Sequence, residues 1–298
     1  MKNRNIYIGP AGWAYPDWKN IFYPNKLPAR ETELSYLSKF FNLVEVNSSF
    51  YRIPTAEMTQ NWLKQVKSNP NFGFTCKLYQ GFTHQPAKLK PTDLENYFQA
   101  IEPLYTANKL LAVLLQFPWS FKNTNENQNR LHELIHKFGQ LPLALEIRHK
   151  SWETPALLNY LTEKKVTFVN IDQPVIGESI GFTQYVTSNQ VYFRFHGRNY
   201  QNWFGENIEG SARYDYYYSV KEQNDFIERI SKLVTTGKTI ILVYNNHFRG
   251  QAVANSFQMK FHFEKQKHAI PSTLLQLYPE LKAISREDST GKNLELFS

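Results

Sequence analysis

Eight short apolar runs, most of them followed by a helical stripe, constrain this chain more than any other feature of its sequence. The runs are Ile6 to Gly9, Leu43 to Asn47, Gly73 to Leu78, Leu111 to Gln116, Leu143 to Ile147, Val166 to Ile171, Val191 to His196 and Thr239 to Tyr244. Between them Leu34, Leu37 and Phe41, then Met58, Trp62 and Val66, then Leu94, Phe98, Ile101 and Tyr105 recur at helical spacing. Helices are also predicted over Glu126 to Phe138, Pro155 to Lys164 and Gln251 to Phe261, and Ser219 with Glu222 forms a capping box ahead of Phe226, Ile230 and Leu233. The segment after Asp172 carries no such stripe, so the sixth helix is expected to be degenerate or missing. Alternating strands and helices build a parallel sheet, and here polar residues recur at the C-terminal ends of nearly all the strands. A doubly wound open sheet would gather them at one switch point instead. The expected fold is α/β, a single (β/α)8 TIM-type barrel over residues 1–264. Residues 265–298 are expected to form a C-terminal segment in which Pro271 to Leu281 packs on the barrel, followed by a mobile tail.

The fifth run, inside Pro142 to Trp152, shows how this barrel differs from a plain apolar one. Side chains two apart on a strand share a face and lie roughly 6.6 Å apart along it, so Glu146 and Arg148 look into one volume while Leu145 and Ile147 pack on the other side. Buried charges persist only when paired or solvated, so this strand carries an internal ion pair or lines a pocket. The same interruption returns on other strands: Glu45 with Asn47, Thr75 with Lys77, and Tyr192 with Arg194 and His196. Gln116, Asp172, Arg198, Asn245, Asn246 and the loop residue His84 complete a polar set at the strand ends.

Each residue type in this set points to a chemistry. Glu45, Glu146 and His196 are the candidates for general acid and base work. Lys77, His84, Arg148, Arg194 and Arg198 suit the capture of phosphate or carboxylate, with Asn47, Gln116, Asn245 and Asn246 as neutral donors and acceptors. Trp13, Tyr15 and Tyr51, with Trp18, Trp119, Trp152 and Trp203, fall in loops at the same end and offer ring faces to a base or sugar. The structural alternatives are an Arg148 pair with Glu45 or Glu146, rings that pack on one another, and a His196 that only orients a neighbour. The two glutamates and Asp172 are compatible with a hard divalent cation, but no His-x-His or Asp-x-Asp spacing accompanies them, and the cofactor is left open.

Composition narrows the class. With 298 residues, 42% hydrophobic and 20% charged, the chain is that of a globular protein, and its net charge of +8 favours anionic partners. The run Leu110 to Leu115 is too short to span a bilayer and MKNRNIYIG holds no apolar leader core, so a cytoplasmic location with no membrane partner is expected. Cys76, the single cysteine, excludes an internal disulfide and reads as a buried thiol. No GxGxxG at a strand-to-helix turn, Walker loop or nucleophile elbow occurs, which disfavours dinucleotide, P-loop and acyl-transfer chemistry.

The stretches GWAYPDW with FYP, VEVNSSFYRIP, FTCKLYQGFTH, LLQFPWSF, LEIRHKSW, VYFRFHGR, YDYYYS and VYNNHFRGQAVANS, in this order over about residues 6 to 262, resemble the motifs of the YecE-like family. That family, of bacteria and archaea, is catalogued as a domain of unknown function, number seventy-two. The resemblance implies a TIM-type barrel and carries no established reaction or catalytic residues. By analogy of barrel pockets it also implies a nucleic-acid role akin to the metal-dependent endonuclease barrels, although this chain lacks their His-rich, carboxylate-rich ligand set.

These observations lead to a hydrolase acting on a phosphorylated or nucleic-acid-derived substrate, phosphoesterase-like, in which the cations hold the phosphate and Glu45 or Glu146 with His196 moves protons. A carbohydrate-active hydrolase using the paired glutamates and a non-catalytic nucleic-acid or anion-binding protein stand beside it.

Overall fold

The computed structural model describes residues 5–203 and 212–286. In chain order the principal elements are β1 (Ile6–Pro10), α1 (Glu33–Leu37), β2 (Leu43–Val46), α2 (Ala56–Gln65), β3 (Gly73–Lys77), α3 (Asp93–Thr106), β4 (Leu110–Gln116), α4 (Asn125–Phe138) and β5 (Leu143–Glu146). There follow α5 (Pro155–Glu163), β6 (Thr167–Asp172), β7 (Gln190–Phe195), α6 (Val220–Val234), β8 (Thr239–Tyr244), α7 (Gln251–Glu264) and α8 (Ser272–Leu277). The strands are all parallel and pair in the order β1-β8-β7-β6-β5-β4-β3-β2, an eight-stranded TIM-type barrel.

The β1–β2 seam closes by a different device from the other seams. In place of a ladder there is a single bridge between Ala11 and Glu45, with the Gly12 N–H donating to the Glu45 carbonyl at 2.8 Å. At the other end the Asn42 side chain stands in for a strand: its Oδ1 accepts from the Ile8 N–H at 2.9 Å and its Nδ2 donates to the Ile6 carbonyl at 2.8 Å. Such close approach leaves no room for a side chain at Gly9, where a Cβ would stand 1.9 Å from the Leu43 carbonyl oxygen.

Strand parity divides the core into two layers. Val44, Val46, Phe74, Cys76, Val113, Leu115, Leu145, Phe193 and Phe195 face outward to the helices. Ala112, Leu114, Ala144, Val169, Ile171, Tyr192, Ile241 and Val243 fill the lower barrel interior. The missing sixth helix is observed: no helix lies between β6 and β7. Its place is taken by a loop pinned to Asn170, whose Oδ1 accepts from the Tyr185 N–H at 2.7 Å and the Thr183 hydroxyl at 2.8 Å, while Phe182 stacks on Phe193 with ring centroids 5.6 Å apart.

Helical stripes differ from the expected ones in two places. On α2 the buried residues are Thr59 and Trp62, and Met58 is exposed. On α3 they are Tyr97, Ala100, Ile101 and Leu104, with Tyr105 half exposed and Leu94 and Phe98 lining an open cleft of 670 Å³. Spacing identifies the helix, whereas the angle at which it docks on its neighbours selects the buried face. Among residues 265–286, Leu274, Tyr278 and Leu281 are buried, and Thr273 donates to the Ile21 carbonyl at 2.6 Å. The tail expected beyond residue 286 lies outside the described residues. Among the described residues no helix is long and apolar enough to cross a membrane.

Gly9→Ala tests the seam. The added methyl forces β1 away from β2, and a loss of about 3 kcal/mol in unfolding free energy is expected from urea denaturation.

Candidate functional site

The inward-facing residues of the strand C-termini lie on common levels because the parallel register aligns them: Glu45 opposite Thr75, Gln116 opposite Glu146, and Arg194 between Ile171 and Val243. At the centre is Arg194, fully buried. Its Nη2 donates to Glu45 Oε1 at 2.6 Å and its Nη1 donates to Glu146 Oε2, so one guanidinium joins β2 and β5 from β7. Nη1 also reaches Gln116 Oε1 at 3.2 Å, while Nε has no hydrogen-bond partner among the described residues.

Both carboxylates are saturated by further donors. The Tyr192 hydroxyl donates to Glu45 Oε2 at 2.6 Å, and the Thr75 hydroxyl, 3.0 Å from the Tyr192 oxygen, supplies the proton for that contact because the phenol's own is already given to Glu45. Glu146 Oε1 accepts from Arg148 through Nε and Nη2, each at 2.9 Å. Burial alone would raise the Glu146 carboxyl, but Arg194, His196 and Arg148 override it and hold it well below the ordinary carboxylate range.

His196 is buried at the end of β7 with both ring nitrogens engaged. Its Nδ1 lies 3.0 Å from Asn245 Nδ2, and its Nε2 lies 3.4 Å from both Glu146 Oε1 and Arg194 Nη1. Burial outweighs the pull of Glu146 and lowers its pKa to about 3, leaving it neutral at pH 7. Trp203 stands over it with ring centroids 6.2 Å apart and also meets the Arg148 guanidinium at 5.8 Å.

Lys77 is the contrasting cation. It ends β3 on the inner face, and among the described residues its ammonium makes no hydrogen bond and no ion pair; the Phe50 ring lies 5.7 Å from Nζ. Burial, aided by repulsion from Arg194, lowers its pKa to about 8. His84, edge-on to Phe50 at 4.9 Å, has Nδ1 2.8 Å from the Thr83 hydroxyl, and burial with the nearby Arg148 and Lys77 lowers its pKa to about 4. Asn47 Nδ2 donates to the Tyr15 hydroxyl at 3.4 Å and its Oδ1 is buried without a partner among the described residues. Tyr15 stacks on His247 with centroids 4.2 Å apart, and Tyr51 is 70% exposed beside Phe50.

The structure thus brings Glu45, Lys77, Gln116, Glu146, Arg148, Arg194, His196 and Asn245 into one interconnected mouth, and it separates others. Arg198 is committed elsewhere: Nε and Nη2 hold Asp172 at 2.7 to 3.1 Å and Nη1 holds Glu222 at 3.1 Å. Tyr218 completes that second cluster by donating to Asp172 Oδ2 at 2.6 Å and accepting from the Gly197 N–H at 2.8 Å. Gly197 takes a φ of +86°, and a Cβ there would meet Tyr216 at 2.7 Å. Burial raises the Asp172 carboxyl even though Arg198 and Tyr218 pull it down. Asn246 faces the outer layer, donating to the Tyr216 carbonyl and Asn255 Oδ1 at 2.8 Å each. Among the mouth-loop rings, Trp18 and Trp152 are fully buried in the helix layer, and Trp13 packs edge-on against Trp62 at 5.7 Å. Sequence reasoning left out Tyr192 and Thr75, although both share an inward face with the charged residues and strand parity marks them. Among the described residues no three His, Cys, Asp or Glu side chains form a metal-holding group.

An eight-stranded parallel barrel whose C-terminal mouth holds a buried ion network, and an ammonium with no hydrogen bond or ion pair among the described residues, defines a TIM-type barrel protein with a polar mouth. The chain belongs to the family described as "Protein of unknown function DUF72", whose model matches residues 7–278. It is 34% identical over 269 residues to the UPF0759 protein YunF of Bacillus subtilis (strain 168), covering 85% of this chain and 93% of that one. The UPF0759 protein YecE of Escherichia coli (strain K12) is 28% identical over 173 residues, 56% of this chain and 59% of YecE. Among solved structures, a DUF72 family protein from Thermotoga maritima MSB8 aligns with a TM-score of 0.76 at 33% identity, covering 87% of this chain and 99% of that one. A DUF72 family protein from Enterococcus faecalis V583 aligns with a TM-score of 0.76 at 30% identity, covering 88% and 96%.

Arg194→Met is expected to destabilise the protein by about 3–5 kcal/mol at pH 7, because buried Glu45 loses the cation it is paired with and Glu146 is left with Arg148. The sign with pH differs between the two proteins. In the parent, Glu146 has a depressed pKa, so its contribution is present above the unfolded carboxyl pKa and is lost as pH falls through the folded one. In the variant Glu146 keeps Arg148 but loses Arg194, so its ionised form is less favoured in the fold, and the gap between the two urea midpoints narrows from pH 7 to pH 5.

Proposed function

We propose that the mouth is the active site of an enzyme acting on an anionic small substrate, phosphorylated or derived from nucleic acid. The observation that carries this reading is Lys77, a mouth ammonium with no hydrogen bond or ion pair among the described residues although Glu45 and Glu146 both lie within electrostatic reach. The carboxylates are already spent on Arg194, Tyr192 and Arg148, so an incoming anion is the partner still lacking. Arg148 adds Nη1, which makes no hydrogen bond among the described residues. Counting Lys77, Arg148 and Arg194 against Glu45 and Glu146, the formal balance is +3 − 2 = +1.

Hydrolysis of a phosphate ester at this mouth draws its charge stabilisation from Lys77 and Arg148. Its base is better supplied by neutral His84 than by Glu45, Glu146 or His196, whose acceptor atoms are occupied. The carbohydrate reading is weaker, since a glycosidase's general acid must carry a proton to donate, whereas Glu45 and Glu146 each accept from Arg194 and a further donor on their other oxygen. A non-catalytic anion-binding protein would use the same cations, and turnover of a bound phosphorylated compound separates it from an enzyme.

Thermal denaturation with inorganic phosphate, sugar phosphates, nucleotides and neutral sugars tests the reading. Anions are expected to raise the Tm, with about 2.7 kcal/mol of stabilisation at a hundred times Kd. Lys77→Met should weaken phosphate binding roughly ten- to a hundredfold, the worth of one charged hydrogen bond. Because the folded state depresses the Lys77 pKa, the same change should leave the unliganded protein at least as stable. Equal stabilisation by neutral sugars, or parental affinity in Lys77→Met, overturns the proposal.

A further inference from the structure

Lys77 combines two features that a purely charge-bearing lysine does not need. Its amine lies beside the Phe50 ring at the partly buried end of β3, and burial with Arg194 and Arg148 disfavours its protonated form against the opposing pull of Glu45 and Glu146. A phosphate-binding lysine gains nothing from losing its proton, whereas a nucleophilic one requires it. Its pKa, lowered to about 8, brings the free amine closer to neutral pH than on an exposed lysine. Its surroundings are also those of a fixed reaction site: Thr75, one level below on the same strand face, is tied to Tyr192, and Ser49 anchors the backbone by donating to the Lys77 carbonyl at 2.7 Å.

We infer that Lys77 is a nucleophile that condenses with the carbonyl carbon of an aldehyde or ketone bearing a phosphate or carboxylate group, so that the substrate is held as an imine. The inference rests on the anion-binding reading above, with Arg148 Nη1 as the donor that holds the acidic group while the carbonyl meets Lys77. The nitrogen bonds to the carbonyl carbon, the carbon–oxygen bond breaks, and the oxygen leaves as water with the two protons that the ammonium sheds. Nitrogen keeps its single positive charge as the iminium, so the balance with Glu45 and Glu146 is the same before and after. His84, neutral at pH 7 and next to the same Phe50 ring, has an Nε2 with no hydrogen bond among the described residues and can relay the protons of the dehydration. The iminium then serves as an electron sink for bond making or breaking at the adjacent carbon.

The test is reductive trapping on the full chain. Dihydroxyacetone phosphate, glyceraldehyde 3-phosphate and pyruvate are each incubated with the protein and sodium borohydride, with glycerol 3-phosphate as the anion that has no carbonyl, and the adducts are mapped by peptide mass spectrometry. The expected result is a single adduct on Lys77, forming at least about tenfold faster than on any other lysine. It should be slowed by inorganic phosphate and absent with glycerol 3-phosphate. Lys77→Met should give no adduct, and Lys77→Arg should still be stabilised by phosphate while giving none. Label spread over surface lysines in proportion to their exposure overturns the inference. No adduct in a protein that phosphate stabilises overturns the imine and leaves the anion site standing, and no adduct with no response to phosphate overturns both.

Discussion

The fork of Arg194 between Glu45 and Glu146 is the interaction on which the rest of the mouth depends. A guanidinium and two carboxylates, all fully buried, would each be costly alone, and their mutual pairing does no more than offset that cost. What the pairing contributes is position. Glu45 fixes the Tyr192 hydroxyl, Tyr192 fixes Thr75, Glu146 fixes Arg148 and His196, and His196 is met by Asn245. Through one side chain on β7 the network therefore reaches β2, β3, β4, β5 and the end of β8. Small inward residues, Ala112 and Ala144, give those long side chains the space to cross the barrel.

Because Arg194 is consumed inside the barrel, the cationic donors still open at the mouth are different ones. Lys77 and half of Arg148 remain, set against carboxylates whose acceptor atoms are taken. On the enzymatic reading proposed above, charges held in place in this way would act on a substrate without reorganising. The second cluster, Asp172 with Arg198, Glu222 and Tyr218, has a different consequence: it ties the end of β6 to the start of α6 and holds the loop after β7 against the barrel.

A wide cavity lies away from this ion network. A cavity of 1080 Å³ lies by the opposite, N-terminal end of the strands, lined by Ile6, Phe41, Asn42, Phe257 and Lys260 among others. Phe and Tyr rings share its walls with polar and charged side chains, and it belongs to the junction of the β1–β2 seam, α7 and the C-terminal segment. In barrels of this class the strand C-termini carry the chemistry and the N-terminal face carries stability, and the ion network follows that rule.

Strand number, helix caps and the inward parity of the charged residues were all legible in the sequence, because period-two and 3.6-residue patterns are local properties of the chain. The capping box at Ser219 and the absent sixth helix belong to the same category. Parity also put Glu146 and Arg148 on one face and Arg194 with His196 on another, but local pattern says nothing about which cation meets which carboxylate. That choice depends on how strands remote in sequence are aligned around the barrel, and only closure decided that Arg194 would spend both arms on Glu45 and Glu146, that Arg198 would turn to Asp172, and that Lys77 would be left with an amine and no partner among the described residues.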